Sequence, residues 1–122
     1  MNFLGLGPNS STTSIEARND GESITAEQFV ERLRSRIYEM ERTLAEDEQL
    51  DVVAFLPSGK AISVGVVSYE NPSLVILNGQ EQETGKVCTL LAHQSSVQVL
   101  VSVEVMGQGE IRKVLRFAQE KW

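Results

Sequence analysis

Between Leu50 and Val105 short apolar runs alternate with turn residues so regularly that the segment admits few folds other than a meander of five strands. The run from Asp51 to Leu56 ends at Pro57-Ser58-Gly59, where proline limits the strand and Gly59 is free to take positive φ. A second strand spans Lys60 to Tyr69, with Ile62, Val64 and Val66 on one side and Ala61, Ser63, Gly65 and Val67 on the other. Gly65 in mid-strand predicts a sharp bend. After the loop Glu70-Asn71-Pro72-Ser73 comes a wholly apolar strand, Leu74 to Leu77, fit for a core. Asn78-Gly79 then opens a polar loop to Gly85. Lys86 to Ala92 and Val97 to Val105 make the last two strands, joined by His93-Gln94-Ser95-Ser96.

A helix precedes this meander. Thr25 and Gln28 have capping-box spacing, and Ile24 and Phe29 occupy the two positions of a hydrophobic staple. Phe29, Leu33, Ile37, Met40 and Leu44 recur on one face, so the helix, Thr25 to about Asp47, is amphipathic and must pack on the sheet. Glu46-Asp47-Glu48 is unfavourable at a helix C-terminus and marks its end. The expected fold is therefore mainly β with an N-terminal α-helix, a five-stranded bent antiparallel small barrel. A sixth strand at Ile111 to Phe117 is favoured by the turn Met106-Gly107-Gln108-Gly109, while Ile111, Val114, Leu115, Ala118 and Trp122 also suit a helix face. The chain divides into a flexible N-terminal tail at 1–22, the helix and barrel at 23–106, and an extension at 107–122.

Composition limits the function classes. At 122 residues the chain suits one domain with one modest core. No apolar run nears the roughly 20 residues that span a bilayer, so no membrane is expected. Met1 to Gly7 lacks the basic flank of a secretory signal. Cys88 is the only cysteine, which forbids an internal disulfide and a cysteine metal site and suits a reducing, cytoplasmic setting. The net charge of −6 opposes gripping long nucleic acid by its phosphates. The sign reverses in the last segment, where Arg112, Lys113, Arg116 and Lys121 face Glu110 and Glu120; this is either a solvated surface or a local anionic contact.

No catalytic constellation, phosphate loop or metal signature is visible, so neither an enzyme nor a cofactor is expected. Cys88, between Val87 and Thr89 in a strand, suits a small buried hydrophobe better than a nucleophile. His93 is the only histidine, and a lone histidine in a loop is more often a structural hydrogen bonder than a ligand. Ser95 and Ser96 beside it suggest a nucleophile and base only if turn neighbours face each other, which is rare. Tyr69 offers a stacking face and Asn71 a base-pairing edge; alternatively Tyr69 caps the core and Asn71 shapes its turn.

Phe55-Leu56-Pro57-Ser58-Gly59-Lys60, Val64 to Asn71 and Leu74 to Leu77 together resemble the first Sm motif: a leucine, a turn glycine, an apolar-x-glycine corner, an aromatic-acid-asparagine loop and an aliphatic strand. Leu91-Ala92-His93-Gln94 followed by Val97 to Val101 is similar to the second motif as it stands in the Sm-like/Hfq-like small-barrel superfamily, whose bacterial branch also carries an N-terminal helix. A closer resemblance, through Tyr69, Pro72, Leu74 to Ile76, Gly79, Leu90, Leu91, His93, Ser95 and the apolar run from Val97, is to an uncharacterised bacterial domain-of-unknown-function family. The Sm resemblance implies a ring-like homo-oligomer binding short single-stranded RNA or a nucleotide through Tyr69, Asn71, His93 and Gln94. Ala92 stands where the bacterial branch has a basic residue, and the arginine-glycine pair of other members is missing. Those departures suit the alternative, a protein-interaction or structural subunit whose partner binds the N-terminal helix or the tails.

Overall fold

A computed structural model describes residues 12–16 and 24–118. The elements are β1 (Thr12–Glu16), α1 (Ala26–Glu41), β2 (Glu48–Phe55), β3 (Ala61–Glu70), β4 (Leu74–Glu81), β5 (Val87–His93), a 3-10 turn at Gln94–Ser96, β6 (Gln98–Val105) and β7 (Arg116–Phe117). Six strands form an antiparallel sheet in the order β1-β6-β2-β3-β4-β5, and β7 joins β3 in parallel.

The helix starts as its sequence dictates. The Thr25 hydroxyl accepts from the Gln28 N–H, and the Gln28 side chain accepts from the Thr25 N–H. It ends at Glu41, a turn and a half before the expected Asp47. No basic residue stands in its last turn to complement the macrodipole, and residues 42–43 form a turn instead. Phe29, Leu33 and Ile37 are buried as expected, joined by Ala26 and Val30. Met40 and Leu44 lie half-buried at the edge of the same cluster.

That cluster joins the buried face of α1 to Leu50, Val52 and Ala54 of β2, Val67 of β3, Val75 and Leu77 of β4, and Val99 and Val101 of β6. β4 and β6 are separated by two strands in the sheet yet bury residues in one core, so the sheet bends around it. Gly65 marks the bend: Val64 pairs with Gly79 and Val66 with Asn78, which places an extra β3 residue in the ladder as a β-bulge. The bulge also inverts the alternation, so that Val64 before it and Val67 and Tyr69 after it all pack on the core. The expected simple alternation of β3 holds only up to this point.

The sheet is bent but not closed. Among the described residues β5 pairs only with β4, and β1 only with β6. A closed five-stranded barrel is therefore not formed by the ladder itself. Three further expectations are revised. Thr12–Glu16, within the expected tail, is a strand on β6; the rest of that tail lies outside the described residues. The apolar strand from Leu74 runs on to Glu81, because Asn78 and Gly79 pair with Thr89 and Cys88, and the Thr89 hydroxyl donates to Asn78 Oδ1 at 2.6 Å. Cross-strand pairing outweighs the Asn-Gly turn preference there. Finally, strand in the last segment is limited to Arg116–Phe117. It lies on β3 at Val66 and Val67, where β2 has turned away to pair with β6, and does not form a hairpin with β6.

Candidate functional site

The turn between β3 and β4 and the 3-10 turn between β5 and β6 sit side by side, because His93 pairs with Leu74 and the Gln94 N–H donates to the Ser73 carbonyl at 2.9 Å. All four expected ligand residues, Tyr69, Asn71, His93 and Gln94, are thereby brought to one end of the sheet. Only part of that set is available to a ligand.

Asn71 and Gln94 hold the start of α1. The Glu27 N–H donates to Asn71 Oδ1 and Asn71 Nδ2 donates to Glu27 Oε1, both at 3.1 Å. Gln94 Nε2 donates to the Ile24 carbonyl. Gln94 is 8% exposed, and its Oε1 is buried without a hydrogen-bond partner among the described residues. The Ala26 N–H donates to the Pro72 carbonyl at 2.7 Å. With Gln28 bonded to Thr25, the first three helical N–H groups are all satisfied by protein, and the helix N-terminus offers no donor of its own to an anion.

Tyr69, opposite Val75, is half-buried and packs against the core, in keeping with the capping alternative for this residue. His93 is exposed at the end of β5 and caps the 3-10 turn. Its Nδ1 accepts the Ser95 N–H at 3.1 Å and lies 2.8 Å from Ser95 Oγ. An Nδ1 that accepts a backbone N–H carries no proton, so neutral His93 is protonated on Nε2. The turn neighbours do face each other here, because the capping geometry folds the imidazole back over the turn. Among the described residues no carboxylate bonds the ring, and no group of three His, Cys, Asp or Glu side chains is placed to hold a metal. Cys88 is half-buried in β5.

His93 opens onto a cleft of about 320 Å³ bounded by the end of β2, by β5 and by the start of β6. Its walls are mainly apolar: Phe55, Pro57, Leu90, Leu91 and Val97, with His93 and Ser96 at the rim. Beside it runs the outer edge of β5, unpaired among the described residues, on which exposure alternates, so that Val87, Thr89, Leu91 and His93 all lie open. Val87 is 83% and Leu91 60% exposed. The sequence carries a trace of this edge in its period of two, but an apolar run does not tell a free edge from a buried strand.

Within the basic C-terminal segment, Lys113 meets anions of the same chain. Lys113 Nζ lies 3.1 Å from Glu104 and 3.6 Å from Asp51. The Lys113 N–H donates to Gln49 Oε1 at 2.8 Å, while Gln49 Nε2 donates to Glu104. Burial lowers the Lys113 pKa, but the hydrogen bond and charge of Glu104, aided by Asp51, outweigh it and leave the ammonium above its ordinary value. Arg112 donates to the Ala45 carbonyl at 2.7 Å.

Comparison with protein-family models, curated proteins and solved structures finds no match for this chain. Among the described residues no helix is long and apolar enough to cross a membrane.

Proposed function

We propose that this chain is a non-enzymatic, Sm-like assembly module: copies associate through sheet edges, and the assembly serves as a structural or protein-interaction subunit. The observation that carries this reading is the edge of β5, bare among the described residues, with Val87 and Leu91 exposed beside an apolar cleft. Unpaired strand edges with apolar side chains are templates for another strand, and a closed assembly removes them. A bent meander behind an N-terminal helix, with the first of five strands paired to the last, supports the Sm-like form. The use of Asn71 and Gln94 to hold α1 argues for a scaffold over an RNA pore.

A second reading, binding of a short single-stranded RNA or a nucleotide, draws on the His93 cleft. Phe55 would give a base an apolar contact, and Nε2–H of His93 a donor. Of the four expected residues, His93 borders this cleft, while Tyr69 packs on the core.

Native mass spectrometry of the full chain across a concentration series tests the first reading. Discrete oligomers are expected, and Val87→Lys/Leu91→Lys should return them to monomer, since lysine on an edge strand opposes pairing. A monomer at every concentration would overturn it. Fluorescence polarisation with short oligonucleotides and with nucleotides tests the second: binding lost in both Tyr69→Ala and His93→Ala would favour it, and no binding at micromolar protein would exclude it.

A further inference from the structure

The two ends of the sheet are not alike. One end is β5, seven residues with apolar side chains exposed. At the other, β6 carries β1 on its outer side, and the pairs run from Thr12–Ser102 to Glu16–Gln98. Among the described residues, β1 pairs with the first five of the eight residues of β6, Gln98 to Ser102.

We infer that β1 is an exchangeable guard strand: it occupies the edge of β6 that would otherwise accept β5 of a second copy, and so sets the concentration at which copies assemble. This rests on the assembly reading above and names how it is regulated. Three observations carry it. The guard is short, and its sequence Thr-Thr-Ser-Ile-Glu contains one apolar residue, whereas β5 reads Val-Cys-Thr-Leu-Leu-Ala-His. Among the described residues five pairs join β1 to β6, whereas β5 makes seven pairs with β4 and β6 has eight residues to offer it. And β1 belongs to the same chain, joined to α1 through residues 17–25.

The last point decides how the competition runs. A tethered strand acts at an effective concentration of order millimolar, so it outcompetes a better strand from another molecule while protein is dilute. An incoming copy must also overcome the loss of its translational freedom. The guard gives way when concentration rises, or when ring closure makes every joint intramolecular. Head-to-tail pairing of β5 with a cleared β6 uses two different edges and leaves neither bare once the ring closes.

Thr13→Pro/Ser14→Pro in the full chain tests the guard. In an antiparallel strand alternate N–H groups face the partner, so replacing two neighbours removes an inward donor whichever residue carries it. The double variant should assemble at a protein concentration at least about tenfold lower than the unaltered chain, a modest share of a millimolar tether, as read by native mass spectrometry and light scattering. Adding Val87→Lys/Leu91→Lys to it should restore the monomer. Circular dichroism and the denaturation midpoint check that the proline variant keeps its fold, and a discrete mass separates assembly from aggregation. Equal assembly thresholds for the unaltered and proline chains would overturn the guard. If both then assemble and the lysine changes dissociate both, the assembly reading stands without it. If both stay monomeric throughout, both inferences fall. An oligomer of the proline variant that survives the lysine changes would also overturn the guard, since the strand admitted would not be β5.

Discussion

Asn71 pairs with Glu27 twice over, through the Glu27 backbone N–H and through its carboxylate, across 44 positions of sequence. A turn side chain thus does from far along the chain what an N-cap side chain usually does for the N2 amide. Asn71→Ala removes both bonds and leaves an N–H of the first helical turn without its acceptor. A loss of about 1–2 kcal/mol in chemical denaturation is expected, comparable to removing a helix cap. Were Asn71 a ligand residue instead, the variant would lose binding at unchanged stability.

Gly79 sits where two backbones nearly touch. A Cβ built there would lie 1.9 Å from the Ser63 carbonyl oxygen, an atom of the β3 main chain that cannot swing aside. Gly79→Ala should therefore cost about 3 kcal/mol, the upper end of ordinary overpacking, by separating β3 from β4 beside the bulge. Gly65→Ala, whose nearest contact is 3.8 Å away, should cost far less. Paired denaturant titrations of the two variants give the comparison.

Lys113 ties the C-terminal segment to β2 and β6. Its raised pKa means that the folded state holds this proton more tightly than the unfolded chain. The contribution is full below pH 10.5 and fades as pH climbs through the higher folded-state value. The side chain is 54% exposed, so Lys113→Met should lower stability by less than about 1 kcal/mol at neutral pH. The difference should shrink in high salt and above pH 10.5.

Glu41 works in the opposite sense. Burial at the end of α1 lifts its carboxyl above the ordinary 4.5, and Arg112 offsets only part of that. An acid with a raised folded-state pKa penalises the fold wherever it is ionised, and the penalty is relieved as pH falls through the folded value. Glu41→Gln should accordingly be the more stable chain at neutral pH. The gap should close on acidification through the window just above pH 4.5, as followed by the thermal midpoint.

The local signals in the sequence were strong where the chemistry is local. Thr25 and Gln28 specify the helix start because the capping box is completed within four residues. Gly59 specifies its turn because a φ of 95° suits little else. What lay beyond the sequence depends on partners far along the chain. Asn71 and Gln94 are the polar loop residues a ligand site would need, and nothing near them in sequence shows that Glu27 and Ile24 engage them first. The strand at Thr12–Glu16 has no hydrophobic period of its own and exists only on the edge of β6. Asn78-Gly79 carries a turn signature that two flanking strands override. His93 and Ser95 were legible as neighbours, but their contact follows from the cap that His93 makes.

The bulge at Gly65 gives β3 two halves of opposite parity. Flattening the bulge with its extra residue kept would put the whole strand in a single phase and turn either Val64 or the pair Val67 and Tyr69 out to water. The length of this strand is consequently as much a determinant of the fold as the identity of its side chains: loss of the surplus residue at Gly65 leaves the interior set as it is, whereas an indel elsewhere in β3 rewrites which residues count as interior.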